Sequence, residues 1–88
     1  MLKKVIRIPL ELRTKQTIDV PKNANIIGVD RINVKLCLMA IVDVEEKEFE
    51  IRQFLTIATG ESFKENANYI GSHESNVGSI MQHIFEIV

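Results

Sequence analysis

Cysteine is nearly missing from this sequence: Cys37 stands alone among 88 residues. A single thiol forms no intrachain disulfide and completes no pair of metal-binding thiolates, so a reducing cytoplasm is the compartment the composition fits. Positive charge is not in excess either, since 11 basic residues face 12 acidic ones for a net charge of -1. That balance offers few cations for neutralising phosphates, and nucleic acid is disfavoured as a partner. The longest apolar run, residues 36–42, falls far short of the roughly 20 residues a membrane helix needs, so no membrane span is expected. Lys3 and Lys4 come early, but Arg7 and Pro9 interrupt the apolar stretch that follows before it forms a signal core, and the amino terminus reads as mature protein. No Pro/Gly/Ser-rich stretch or charge block divides residues 1–88, which predicts a single domain.

What is present is ordinary globular composition, 45% hydrophobic and 26% charged, arranged in short alternating segments. Ile6, Ile8, Leu10 and Leu12 fall on every second position, the pattern of a half-buried strand over residues 5–12, and Pro9 assigns that strand to an edge or a bulge. Residues 16–20 alternate again before the Pro21-Lys22-Asn23 turn, and a hairpin through Arg13-Thr14-Lys15 is expected to pair these two segments. Residues 26–32 read as a third strand, Asn33 as a turn, and residues 34–44 as a central strand with apolar residues on both faces. Phe49, Ile51, Leu55 and Ile57 mark a fifth strand ending at Thr59-Gly60, and strands three to five are expected to form a meander. Tyr69-Ile70-Gly71-Ser72 and residues 80–88 predict a last hairpin around a turn at residues 74–78; residues 62–68 hold the best chance of a helical turn. Seven short strands need two layers to cover their apolar faces, so the expected fold is all-β, a small antiparallel β-sandwich or a partly open barrel.

Few residues bear chemistry. His73 and His83 are the only histidines, and no His/Cys/carboxylate spacing resembles a metal site, so neither a metal nor a cofactor is expected. His83 shares a strand face with Met81, Phe85 and Ile87, where a histidine is more often a core or interface residue with one satisfied nitrogen than a catalyst. Phe85 is expected in the core. Cys37 reads as a small buried hydrophobe in the central strand. Thr59-Gly60-Glu61-Ser62 reads either as a strand-ending turn or as a loop whose amides meet an anion, with Arg52 upstream on the same strand supplying a guanidinium. A ligand-binding set of Arg52, Thr59 and Gly60 follows, joined by Tyr69 or His83 from a neighbouring subunit. The plain alternative pairs Arg52 with Glu48 or Glu50 on the outer face.

Lys4-Val5-Ile6 with Pro9-Leu10-Glu11-Leu12, Gln16-Thr17-Ile18 followed by Pro21-Lys22-Asn23-Ala24, and residues 36–43 resemble a family of small uncharacterised phage and prophage proteins. The likeness continues through Thr59-Gly60 and Tyr69-Ile70-Gly71 to His83-Ile84-Phe85-Glu86. The sequence departs from that pattern at Met39 and Gln82, where tryptophan is expected, at Val34 in place of glycine, and at Glu61 in place of histidine. The resemblance implies a phage accessory protein acting in the host cytoplasm and implies no reaction.

Three function classes follow. The favoured one is a non-enzymatic accessory binding protein that inhibits a host or defence factor or sequesters a signalling nucleotide; its partners are a host protein or a small anionic ligand. The second is a structural or morphogenesis component of the virion. An enzyme comes last, because no nucleophile–base pair and no converging carboxylates are readable. A chain this small with an apolar central strand and an apolar last strand is also expected to form a homo-oligomer.

Overall fold

A computed structural model of the chain describes residues 1–75 and 80–88. These residues form seven antiparallel strands: β1 (Lys3–Pro9), β2 (Lys15–Pro21), β3 (Asn25–Ile32), β4 (Lys35–Asp43), β5 (Phe49–Ala58), β6 (Ala67–Glu74) and β7 (Met81–Ile87). One sheet has the order β1-β4-β3 and the other β2-β5-β7-β6, giving a two-layered all-β fold that does not close into a barrel. No helix among the described residues is long and apolar enough to cross a membrane.

Alternation in each strand decides what lies between the layers. Leu36, Leu38, Ala40 and Val42 project inward from β4 and meet Ile8, Val20, Phe54 and Ile84 in one buried cluster. Cys37 lies on the outer face of β4 and is buried there as well. Pro9, which donates no ladder hydrogen bond, closes β1 at a sheet edge. Two turns rest on left-handed asparagines, Asn23 at φ 64° and Asn33 at φ 56°; Asn33 joins β3 to β4 as a hairpin.

The order of pairing differs from the sequence expectation in two places. Residues 13–15 do not form a hairpin, because β1 pairs with β4 and β2 with β5. The Leu10 amide donates to the Leu36 carbonyl and prolongs the β1–β4 ladder past Pro9, after which the chain crosses to the other layer. Gln16, 8% exposed, stitches that crossing: its amide accepts from the Glu11 N–H and donates to the Glu11 carbonyl, both at 3.0 Å. Nor do strands three to five form a meander. With β1 on one edge of β4 and β3 on the other, no edge remains for β5, and residues 44–48 carry the chain across.

Residues 62–68 hold no helical turn, and β6 begins at Ala67. The expected β6–β7 hairpin is present; of its turn, residues 76–78 lie outside the described residues.

One lateral seam of the sandwich shapes the site. Strand β3 has a bulge between Ile26 and Gly28, and β6 has one between Tyr69 and Gly71. The two edge strands come together there: a Cβ built on Gly71 would stand 3.0 Å from Val29 Cγ2, so only a glycine allows this approach unchanged.

Candidate functional site

The β6 bulge determines which side chains share the outer face of the four-stranded sheet. Residues three apart in a regular strand point to opposite faces, but the extra residue, Ile70, turns inward against the core and changes the parity. Tyr69 pairs with Phe85 and Ser72 with His83, so both face outward. The Tyr69 Oη and Ser72 Oγ atoms are 2.6 Å apart.

From Ser72 the contacts run on across the sheet. Ser72 Oγ lies 2.6 Å from His83 Nδ1, and His83 Nε2 lies 2.7 Å from Thr59 Oγ1. The result is one hydrogen-bonded chain, Tyr69–Ser72–His83–Thr59, spanning β6, β7 and the end of β5. A neutral imidazole donates from one nitrogen and accepts at the other, so the chain runs in one direction or the reverse. A ligand accepting from the Tyr69 end, or donating at the Thr59 end, sets that direction.

Beside the chain lies a groove of ≈ 460 Å³. Leu55 and Ile57, 2% and 5% exposed, project from the outer face of β5 and form its floor, while residues 62–65 form a wall. Phe63 lines the groove and also packs on Phe85, ring centroids 4.9 Å apart, and Tyr69 meets Phe85 edge-on at 5.6 Å. Phe63 and Tyr69 remain 42% and 61% exposed, so their rings are open to a partner. Lys15 Nζ fixes the wall by an ion pair with Glu65 at 3.0 Å. The Lys15 ammonium, together with backbone N–H donors at Glu65 and Lys64, holds the Glu65 carboxyl below its ordinary pKa. Lys64 also lines the groove, and no carboxylate among the described residues forms an ion pair with it.

Of the five residues nominated from the sequence, three meet here: Thr59, Tyr69 and His83, all from one chain. Gly60 shapes the adjoining turn, with φ 97° and the Glu61 amide bonded to the Ala58 carbonyl at 3.0 Å. The Thr59 amide donates to the Met81 carbonyl, so two amides of this turn are engaged within the fold. His83 has both ring nitrogens bonded rather than one, and Phe85 is half-buried on the outer face instead of lying in the core; the inward residue of β7 is Ile84, 0% exposed.

Arg52 is not part of this cluster. It stands an odd number of residues from Thr59, roughly 20 Å along the strand, and faces inward with Phe54. Glu86 holds it there, with Glu50 and the Ala24 carbonyl as further partners, and the Glu86 hydrogen bonds raise its pKa further above the ordinary arginine value. Sequence reasoning missed Ser72 and Phe63. The one available signal for Ser72 was Gly71, since a glycine inside a strand marks a bulge or a close approach.

Among the described residues no three His, Cys, Asp or Glu side chains converge as a metal site. No curated protein and no solved structure matches the chain. Over residues 1–88 the chain matches the family described as Domain of unknown function (DUF7352), and it belongs to that family.

Proposed function

We propose that this chain is a non-enzymatic binding protein whose outer sheet face takes a nucleotide or a similar planar anion. The observation that carries this reading is the Tyr69–Ser72–His83–Thr59 chain lying beside the groove walled by Phe63. The two exposed aromatic rings suit a nucleobase, for which one stacking contact contributes about 1–3 kcal/mol. Hydroxyl groups and an imidazole suit the polar edge of a base or a sugar, and the Lys64 ammonium suits one phosphate. A groove of ≈ 460 Å³ also falls within the range of small-molecule sites.

The resemblance to small phage proteins gives this binding a setting: an accessory protein that sequesters a signalling nucleotide in the host cytoplasm and so counters a defence response. The same binding face in a homo-oligomer would be presented several times. Calorimetric titration of the chain with a panel of nucleoside monophosphates and cyclic oligonucleotide messengers tests the reading. Saturable binding of at least one member supports it; no heat from any member overturns it.

One observation favours a second reading, a small hydrolytic enzyme. A serine hydroxyl 2.6 Å from an imidazole nitrogen is the first half of a nucleophile–base pair. In such pairs a carboxylate commonly holds the far nitrogen and stabilises the imidazolium, whereas here the partner is the Thr59 hydroxyl. Turnover of an activated ester that disappears in Ser72→Ala would favour the enzyme over the binding protein.

A further inference from the structure

Each sheet ends in two edge strands. β3 and β6 lie against each other at the Gly71–Val29 contact, which leaves β1 and β2 as edges that no strand among the described residues covers.

Pairing alternates along β2. The Thr56 amide donates to the Thr14 carbonyl and the Lys22 amide to the Glu48 carbonyl, so the even-numbered residues of this segment turn their backbone groups to β5. Lys15, Thr17 and Asp19 therefore direct their N–H and C=O groups away from β5, where no backbone group of the described residues meets them. All three side chains are exposed on the outer face, while Gln16 and Val20 are buried. Such a row of open groups is a template for a further strand.

We propose that β2 pairs with β2 of a second copy of this chain, antiparallel about a twofold axis at Thr17, and so joins two four-stranded sheets into one. In this register Thr17 exchanges both backbone hydrogen bonds with its own copy, and Lys15 stands directly opposite Asp19 of the second copy. Opposite charges in facing positions stabilise a strand pair. Asp19 forms no ion pair among the described residues, and the Lys15 ammonium, which holds Glu65, has donors to spare. Moving the axis toward Pro21 brings a residue without an N–H into the ladder. The β1 edge does not offer the same fit. Its even-numbered residues bond to β4, as the Leu10 and Leu2 contacts show, so Lys3, Val5, Arg7 and Pro9 face outward. A twofold at Val5 sets Lys3 against Arg7 of the second copy, and like charges guard that edge.

Sedimentation velocity of the chain without nucleotide, up to about 1 mM because a small interface binds weakly, tests the pairing. A monomer–dimer equilibrium is expected. Asp19→Lys sets lysine against Lys15 at both ends of the register, and Thr17→Pro removes the central outward N–H, which the monomer does not use. Each should raise the dimer dissociation constant about tenfold or more. An unfolding transition confirms the fold of each variant, and if one fails to fold the other decides. Thr17→Cys, on the axis, should also oxidise to a covalent dimer, whereas Gln53→Cys, which faces Thr17 from β5, should not. A monomer at the top of the concentration range, a dimer that either folded variant leaves unchanged, or cross-linking as ready at position 53 as at position 17 would overturn the proposal.

Discussion

Arg52 and Glu86 clasp β5 to β7 from inside the sandwich, with Nε 2.5 Å from Oε2 and Nη2 2.6 Å from Oε1. Both side chains are 19% exposed, and Arg52 Nη1 also donates to the Ala24 carbonyl at 2.6 Å, so the guanidinium ties two strands to the β2–β3 turn.

Removing Arg52 leaves the Glu86 carboxylate largely desolvated and without its partner, whereas Arg52 without Glu86 keeps Glu50 and the Ala24 carbonyl. Arg52→Ala should lower unfolding stability by about 2–4 kcal/mol, and Glu86→Gln by less, because the amide still accepts one hydrogen bond. Urea unfolding of the two variants measures this. A change under about 0.5 kcal/mol for Arg52→Ala, as expected of an exposed pair, would contradict the structural role.

The two faces of the four-stranded sheet should respond differently to truncation. Phe54 and Ile84 are 0% exposed, and replacing either with alanine should cost about 3–5 kcal/mol. Phe85, half-buried under Phe63 and Tyr69, should cost about 1–2 kcal/mol. Equal losses at positions 84 and 85 would show that both faces of β7 are core.

Gly71→Ala should destabilise by about 1–2 kcal/mol, because the added methyl meets Val29 Cγ2 at 3.0 Å. The same change at Gly28, with open space around it, should be nearly silent. Shortening the obstacle in a Val29→Ala background should recover part of the Gly71→Ala loss. A full, additive loss in the double variant would mean that the β3–β6 contact is not what demands the glycine.

Strand positions were largely legible in the sequence because alternation is local: the β-branched and aliphatic repeats from Ile6 to Ile57 mark strands, except that the first runs on to Leu12 whereas β1 ends at Pro9 and leaves Leu12 exposed in the connection. Partner choice was not, because it depends on which edges other strands already occupy. Nothing near Arg13 records that the β1–β4 ladder continues to Leu10 or that Gln16 bonds Glu11 across the corner. The last strand has apolar residues of both parities, so Ile84 and Phe85 compete for the interior, and the choice of Ile84 rests on the opposite sheet. Thr59, Tyr69 and His83 could be nominated from residue type alone, yet their meeting depends on one inserted residue, Ile70, that reverses the parity of β6.

Acid should loosen the wall of the outer groove. Glu65 has its folded pKa lowered by Lys15, so the pair's contribution is complete above the ordinary carboxylate value and is lost as pH falls through the lowered one. Carboxyl titration by nuclear magnetic resonance should move Glu65 up toward its ordinary value in Lys15→Met, with the backbone N–H donors at Glu65 and Lys64 still holding part of the shift. An unchanged midpoint would remove Lys15 as the cause.

Mapping where a nucleotide lands tests the central claim most directly. Amide and side-chain shifts of the labelled chain are followed while nucleoside monophosphates and cyclic oligonucleotide messengers are titrated in, with Phe63→Ala as the comparison. The binding-face reading predicts saturable shifts at Thr59, Phe63, Lys64, Ser72 and His83, with affinity reduced about tenfold or more in Phe63→Ala. Shifts confined to other surfaces, or equal affinity in the parent and Phe63→Ala, would contradict it.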